Sequence, residues 1–414
     1  MGWHKVCLYL VRVVQLPPKP GPVWWPYPMM NVRFLSLFLL LSGLLSRSWA
    51  QEIPTPIVYD GYRAGFDIGS QGVKISVIGF YHREGKLKYK LVYDRQETVG
   101  LVKGMELNNG KLRPADIQDA VATMQEMLRD ASETYALNPR DFIAYTSSGV
   151  NMAANVADIN TQTQKQLGLT TVVDMPTKVE ATYSVRAGLA REDFDKAILV
   201  DVGGGNLKGG ILQPYQSAAG TTRYTFKAYT IEFGARRLSE RVLLRNPAPD
   251  TYPAQLQAQV TDSIAPLIRM SLNDNPGIRM ANRSVIYLTG GAAYQFITWR
   301  FPEKVQDEIV EFTLDDFGQF IEMLHTPTGW VDWQSRPITP TPPDNVRLRE
   351  LMERDHLKAT TRVYNREGCL AGTLLAQQVF REIGNLNTKT FYFTRDAYWI
   401  NALVFDTYKD EFKK

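Results

Sequence analysis

Asp67-Ile-Gly-Ser-Gln-Gly-Val73 is a glycine-rich turn that follows an apolar run, and Asp201-Val-Gly-Gly-Gly-Asn-Leu207 repeats the pattern in the second half of the chain. A third turn, Leu288-Thr-Gly-Gly291, closes another apolar run. Glycines at a strand end let the backbone approach a phosphate, with amide N–H groups pointing at its oxygens. A carboxylate inside such a turn usually serves a divalent metal. Each motif alone is also compatible with a plain tight turn, but their order predicts a phosphate clamp between two related half-domains.

The N-terminal region has the features of a secretory signal. Residues 34–45 form an uncharged apolar run with the length of a signal-peptide h-region, too short for a membrane span. Arg33 supplies the positive flank, and Ser48-Trp-Ala50 offers small residues to a signal peptidase. We therefore expect a signal peptide over about 29–50 and an exported protein, periplasmic or secreted, with no stable membrane insertion after cleavage. An uncleaved signal anchor is the alternative.

The charge of the whole chain is dominated by this leader. The chain of 414 residues has 47 basic and 43 acidic side chains and a formal net charge of +4. The leader has basic residues and no acidic ones, so the mature chain is close to neutral, and its composition gives no reason to expect a nucleic-acid partner. Of the two cysteines, Cys7 leaves with the leader and Cys369 remains, so no internal disulfide is expected.

Apolar periodicity predicts alternating strands and helices in the mature chain. Spacings of three and four predict an amphipathic helix over 114–136, and a continuous apolar run predicts a buried strand over 196–202. We also predict a helix over 304–324 and an exposed excursion over 326–345, which is rich in Pro and Thr. Strand-rich blocks that alternate with helices, twice over, indicate a duplicated α/β unit.

The order of four motifs resembles the actin/Hsp70/sugar-kinase superfamily. These motifs are Asp67-Ile-Gly-Ser-Gln71, Glu180-Ala181, Asp201-Val-Gly-Gly-Gly205 and Leu288-Thr-Gly-Gly291. Phe233-Gly-Ala-Arg-Arg-Leu-Ser-Glu-Arg241 narrows the resemblance to the exopolyphosphatase and guanosine-pentaphosphatase (Ppx/GppA) family, over about residues 62–408. The HD-type C-terminal domain of larger members is not expected here. The resemblance implies two actin-like (ribonuclease H-like) half-domains with a central cleft.

The resemblance also implies domain limits. We expect a leader and signal peptide over 1–50, a first actin-like half over 51–195 and a second over 196–367. The last helix is expected to return to the first half at 368–414. The oligomeric state is not predicted.

The resemblance implies an enzyme that cleaves terminal phosphoanhydride bonds of polyphosphate or nucleotide polyphosphates with Mg²⁺. Glu180 would orient or deprotonate the attacking water, and an ordinary solvated helix residue is the alternative. Asp67 and Asp201 would hold Mg²⁺, or would accept backbone N–H bonds within their turns. The residues expected to bind phosphate are Gly69, Ser70, Gln71, Gly203, Gly204, Gly205, Asn206, Lys208, Gly290 and Gly291.

Two departures from the family pattern affect this expectation. The family's second turn ends Gly-Gly-Gly-Ser-Thr-Glu, whereas this chain has Asn206-Leu-Lys208 after its glycines. The family's Thr-Ser-Ala-x-Arg segment appears as Thr146-Ser-Ser-Gly-Val150, without the arginine that would clamp a phosphate. Arg236 or Arg237 could compensate, although surface charges are the simpler interpretation.

Three functions therefore remain open from the sequence. The first is an exported phosphoanhydride hydrolase. The second is a catalytically impaired protein of the same fold that binds an anionic ligand or a protein partner in the periplasm. The third, a filament-forming or ATP-driven protein, is disfavoured because ATP is scarce outside the cytoplasm.

Overall fold

Two mixed β-sheets organise the chain. The computed structural model describes residues 57–413 except 71, 106–107, 174, 219, 274–281, 340–344 and 396–397. The predicted signal peptide and the phosphate-binding candidate Gln71 lie outside the described residues. Residues from Val58 onward form one compact unit.

The first sheet has the strand order β3-β2-β1-β4-β5. Strands β1 to β3 form an antiparallel meander, and β4 and β5 continue from β1 in parallel. The buried half of β1 ends at the first glycine turn. The strand bounds are Gly61–Ile68 (β1), Gly72–Arg83 (β2), Lys86–Thr98 (β3), Phe142–Thr146 (β4) and Thr171–Val172 (β5).

The second sheet repeats this arrangement. Its order is β10-β11-β9-β6-β7-β8, with β6, β7 and β8 as the antiparallel meander and β9 and β11 continuing from β6 in parallel. The central strand β6 is buried along its whole length, as its apolar run predicts. The bounds are Ala197–Val202 (β6), Leu207–Gln216 (β7), Thr222–Ile231 (β8), Val285–Gly290 (β9), Ile309–Phe312 (β10) and Thr390–Thr394 (β11). The predicted duplication of an α/β unit is confirmed.

Helices cover the faces of both sheets. In the first half they are Pro114–Tyr135 (α1), Ser148–Asn151 (α2), Ala157–Leu167 (α3) and Thr177–Gly188 (α4). In the second half they are Ala235–Leu243 (α5), Tyr252–Gln259 (α6), Ala265–Asn273 (α7), Gly291–Arg300 (α8), Leu314–His325 (α9), Pro327–Ser335 (α10), Val346–Lys358 (α11) and Arg366–Ile383 (α12), and the last helix is Trp399–Tyr408 (α13). None of the helices in the described ranges has the length and apolar character needed to cross a membrane.

Amphipathic faces fix the position of these helices. Helix α1 buries Ile117, Val121 and Met124 against the first sheet, on the stripe that its periodicity predicts. Helix α12 is buried along most of its length in the core of the second half. Helix α13 packs on β1 and β2 and also on α4, and α4 in turn packs on β7 and β8. Helix α4 is thus in contact with both halves.

Two sequence predictions in the second half are wrong. The helix predicted over 304–324 is strand β10 followed by α9, because Thr313 caps α9 in a capping box with Asp316 and the alternating burial of 309–312 is that of a strand. The exposed excursion predicted over 326–345 contains α10, whose Trp330 and Trp333 are buried in the core.

Within the range 368–414 the chain contributes elements to both halves. Helix α12 and strand β11 belong to the second half, because α12 packs on α5 and α8 and β11 pairs with β9. Helix α13 is the element that packs on the first sheet.

Candidate functional site

A cavity of about 560 Å³ opens between the two sheets, where β1, β6 and β9 end in their glycine turns. The turns after β6 and β9 lie side by side because these two strands are parallel neighbours, and the turn after β1, which belongs to the other sheet, lines the same space. The cavity is lined by every predicted site residue that the structure describes: Asp67, Gly69, Ser70, Glu180, Asp201, Gly203, Gly204, Gly205, Asn206, Lys208, Gly290 and Gly291. Their common location is a fact of the structure, and their individual roles stay predictions.

The absence of side chains in the glycine turns allows close backbone approach. A Cβ on Gly205 would lie 2.9 Å from Cα of Gly149, so the turn of the second half touches helix α2 of the first half. Gly290 has a φ of 101°, and a Cβ there would lie 2.2 Å from the carbonyl oxygen of Val202. A glycine is required at both positions.

Lys208 is at the centre of the polar groups in the cavity. It is the cross-strand neighbour of Asp201, so both side chains lie on one face of the second sheet. Its Nζ lies 2.9 Å from Oε1 of Glu180, 3.3 Å from Oδ2 of Asp201 and 3.4 Å from Oδ1 of Asn206. The ammonium has three N–H donors and three oxygen acceptors, although only 5% of the residue is exposed.

Glu180 lies in the first turn of α4 and is 2% exposed. Its Oε2 accepts hydrogen bonds from the backbone N–H of Ser148, at 2.8 Å, and from the Ser148 hydroxyl, at 2.5 Å. The Ser148 hydroxyl accepts a hydrogen bond from Nδ2 of Asn206 at 2.6 Å, which links the two halves. Burial acts to raise the pKa of Glu180, but the charge of Lys208 and the Ser148 hydrogen bonds outweigh it and hold that pKa below its usual value.

Asp67 has the opposite electrostatic environment. Burial raises its pKa to about 6, with the Lys74 ammonium opposing the shift and the charge of Glu180 adding to it. The Nζ of Lys74 lies 4.0 Å from Oδ2 of Asp67. Oδ1 of Asp67 is buried and has no hydrogen-bond partner among the described residues. A buried carboxylate with an unsatisfied oxygen is typical of a functional site.

The predicted Mg²⁺ ion would need oxygen donors from these side chains. Asp67 offers one unpaired oxygen, but oxygens of Asp201 and Glu180 are bound to the Lys208 ammonium. Across the described residues, no three His, Cys, Asp or Glu side chains are grouped so that they could hold a metal ion. Mg²⁺ needs oxygen ligands in near-octahedral geometry. The donor set therefore does not fit a Mg²⁺ ion held jointly by Asp67 and Asp201, and the mechanism below uses none.

The structure also locates the arginine positions that the sequence singled out. Val150 is fully buried in the core of the first half, so that position does not face the cavity. Arg237 donates to the carbonyl of Glu232 at 2.8 Å, and Arg236 lies 3.9 Å from Glu240. The cations that line the cavity besides Lys208 are Lys74, Arg95, Arg354, Lys358, Arg362 and Arg395.

Sequence reasoning missed Lys74 and Ser148 as site residues. Lys74 is separated from Asp67 by the turn but returns beside it as its antiparallel partner in β2. A hairpin register with Asp67 opposite Lys74 could have revealed this pair. Ser148 carried no comparable signal, because its partner Glu180 is on another helix.

The architecture defines an α/β protein whose two halves have similar sheet topology and whose cleft is lined by glycine turns. No protein-family model matches the sequence, and a search of curated proteins found no match. Among solved structures, the Ppx/GppA family member of Aquifex aeolicus has 16% sequence identity and a TM-score of 0.53, covering 86% of this chain and 99% of that one. An exopolyphosphatase-like protein has 14% identity and a TM-score of 0.59, covering 85% and 99%.

An exopolyphosphatase from Cytophaga hutchinsonii also has 14% identity, with a TM-score of 0.57 and coverage of 84% and 98%. These likenesses span almost the whole of each neighbour. At such low identity they show the fold, which is that of the Ppx/GppA proteins. The actin-like α/β fold expected from the sequence is thereby confirmed.

Proposed function

We propose that this protein is an exported phosphoanhydride hydrolase that removes terminal phosphate from polyphosphate or nucleotide polyphosphates. The observation that carries the proposal is the position of Glu180, a carboxylate kept ionised at the point where the three glycine turns meet. The shared fold with proteins described as exopolyphosphatases supports the same substrate class.

The hydrogen bonds of Glu180 indicate how it would act. Oε2 accepts two hydrogen bonds from Ser148, whereas Oε1 accepts one from Lys208, so Oε1 retains a lone pair for a water in the cavity. The lowered pKa makes this carboxylate a weak base. Phosphoryl transfer passes through a loose, metaphosphate-like transition state, for which orientation of the water matters more than early removal of its proton. Glu180 therefore orients the water in this mechanism.

The reaction is a single in-line displacement. The water oxygen forms a bond to the terminal phosphorus, and the bridging P–O bond breaks with its electron pair moving to the shortened phosphate chain. The excess proton of the water passes to a phosphate oxygen and then to solvent. Backbone amides of the glycine turns and the ammonium of Lys208 supply positive charge near the transferring group.

The test is release of inorganic phosphate by the purified protein from polyphosphate, pppGpp and ATP. Glu180→Gln keeps the shape of the side chain but loses its charge, and we expect turnover to fall by about 10²-fold or more. Glu192→Gln, which changes an exposed carboxylate next to α4, is the matched control and should retain full activity. Equal activity in the Glu180→Gln and wild-type proteins would refute the assignment.

A binding protein of the same fold is the second candidate. It is favoured by the complete pairing of Lys208 with Glu180, Asp201 and Asn206, which restrains these groups. In that case the protein would release no phosphate from polyphosphate, pppGpp or ATP, but one of these three compounds would still raise its melting temperature. A protein that shows neither turnover nor a thermal shift would contradict both candidates.

A further inference from the structure

The Lys208 ammonium lies between the carboxylates of Glu180 and Asp201, where a metal ion bound by both would lie. Glu180 comes from a helix of the first half, and Asp201 from the central strand of the second. Both direct an oxygen at the same Nζ, at 2.9 Å and 3.3 Å. Two buried acids that converge on one point from different elements normally bind a cation, because each alone is costly to bury.

The backbone holds this cation in place. Residues 207–210 of β7 pair with β6, and Asp201 lies directly opposite Lys208 in the register. If the lysine side chain moved away, two buried carboxylates would lose their common partner. A divalent ion bound to the same oxygens would lie next to the ammonium and be repelled by it. Lysine and metal therefore exclude each other at this site.

The same ammonium is also within reach of a bound phosphate. The position of a Cβ on Gly203 would be 3.8 Å from Nζ, so the ammonium lies against the backbone of the second glycine turn. Its contact with Asn206 is the longest of the three, at 3.4 Å, and is the one most easily exchanged for a phosphate oxygen.

We propose that Lys208 is a tethered cation that replaces a protein-bound divalent metal between Glu180 and Asp201, so that the cleft binds its phosphate ligand without one. The catalytic consequence rests on the proposed hydrolase function, whereas the exclusion of metal does not. This chain thus binds phosphate through its own ammonium group, independently of a metal ion.

The test measures metal binding without any substrate. Purified protein is titrated into Mn²⁺ while the free ion is followed by electron paramagnetic resonance, and melting temperatures are recorded with and without Mg²⁺. We compare the wild type with Lys208→Met, which keeps the length but removes the charge, and with Lys208→Arg, which keeps the charge. Lys196→Met removes an exposed lysine paired with Asp193 and is the control.

We expect no one-to-one Mn²⁺ complex with the wild type, with Lys208→Arg or with Lys196→Met. Lys208→Met should melt on the order of 10 °C lower, because two buried charges lose their partner. It should also bind one Mn²⁺ and recover most of its melting temperature in Mg²⁺.

One-to-one binding of Mn²⁺ by the wild type with submillimolar affinity would overturn the proposal, even if the variants failed to fold. A folded Lys208→Met protein that binds no metal would also overturn it. If the metal measurements come out as expected but no phosphate is released from any substrate, the hydrolase proposal fails and the tethered cation stands.

Discussion

The buried carboxyl group of Asp67 should make the stability of this protein depend on pH. Burial raises its pKa from an ordinary value of 3.8 to about 6, so the native state holds a proton that the unfolded chain has already released. The stability contributed by this proton is fully present below pH 3.8 and is lost as the pH rises through about 6. Asp67→Asn removes the titration while keeping the shape of the side chain.

The size of this pH dependence follows from how far the pKa of Asp67 is raised. One pKa unit corresponds to about 1.36 kcal/mol, so the rise gives a loss of roughly 3 kcal/mol in the wild type across this range. The free energy of unfolding of Asp67→Asn, minus that of the wild type, should therefore increase by about 2.4 kcal/mol between pH 4 and pH 7, because part of the loss already occurs below pH 4. Urea unfolding followed by tryptophan fluorescence at several pH values measures this difference.

Asp316 provides a matched control, because its pKa is shifted in the opposite direction from that of Asp67. Burial acts to raise its pKa, but hydrogen bonds from Thr313 and Arg300 outweigh it and hold that pKa below the ordinary value. Its stabilising contribution is complete above the unfolded value and is lost only as the pH falls through the lower folded value. Asp316→Asn should therefore destabilise the protein by a constant amount from pH 4 to pH 7. A flat or falling difference for Asp67→Asn over the same range would refute the reasoning.

Two further predictions concern packing. Gly205→Ala should destabilise the protein by about 1–3 kcal/mol in urea unfolding, because its Cβ would lie 2.9 Å from the backbone of Gly149. Gly318→Ala, where an added Cβ meets no atom within 4 Å inside α9, should instead stabilise it by about 0.5–1 kcal/mol, and a similar loss in both variants would contradict the contact. Cys369 is fully buried and burial raises the pKa of its thiol, so in a Cys7→Ser protein Ellman's reagent should react only after denaturation. Rapid reaction in the native state would show that the core around it opens.

The sequence predicted the location of the site more accurately than its internal contacts. A glycine turn at a strand end is a local pattern, and parallel pairing of β6 with β9 places Asp201 near Gly290, whereas the place of Asp67 in the same cleft was expected from the resemblance to a fold with two halves and a central cleft. The pairing of Lys208 with Glu180 could not be predicted in this way, because it depends on how a helix of the first half packs on the second sheet.

The errors have a similar physical origin. A position in a motif does not fix the direction of its side chain, and the side chain of Val150 lies in the core because of its place in the short helix α2. In the same way, an alternation of only four residues over 309–312 is too short to distinguish a strand from a helix turn by periodicity. Long elements such as α1 were predicted well because their pattern extends over many turns.

Helix α13 has a consequence for the order in which the protein forms during synthesis. Ile78 and Phe80 of β2 are buried against this helix, which comprises Trp399–Tyr408. The ribosome makes β2 well before α13, so one face of the first sheet stays uncovered until α13 has emerged. The second half also includes a late element, because Phe391 and Phe393 of β11 belong to its core. The first sheet therefore depends for its cover on an element made some three hundred residues after its own β2 strand.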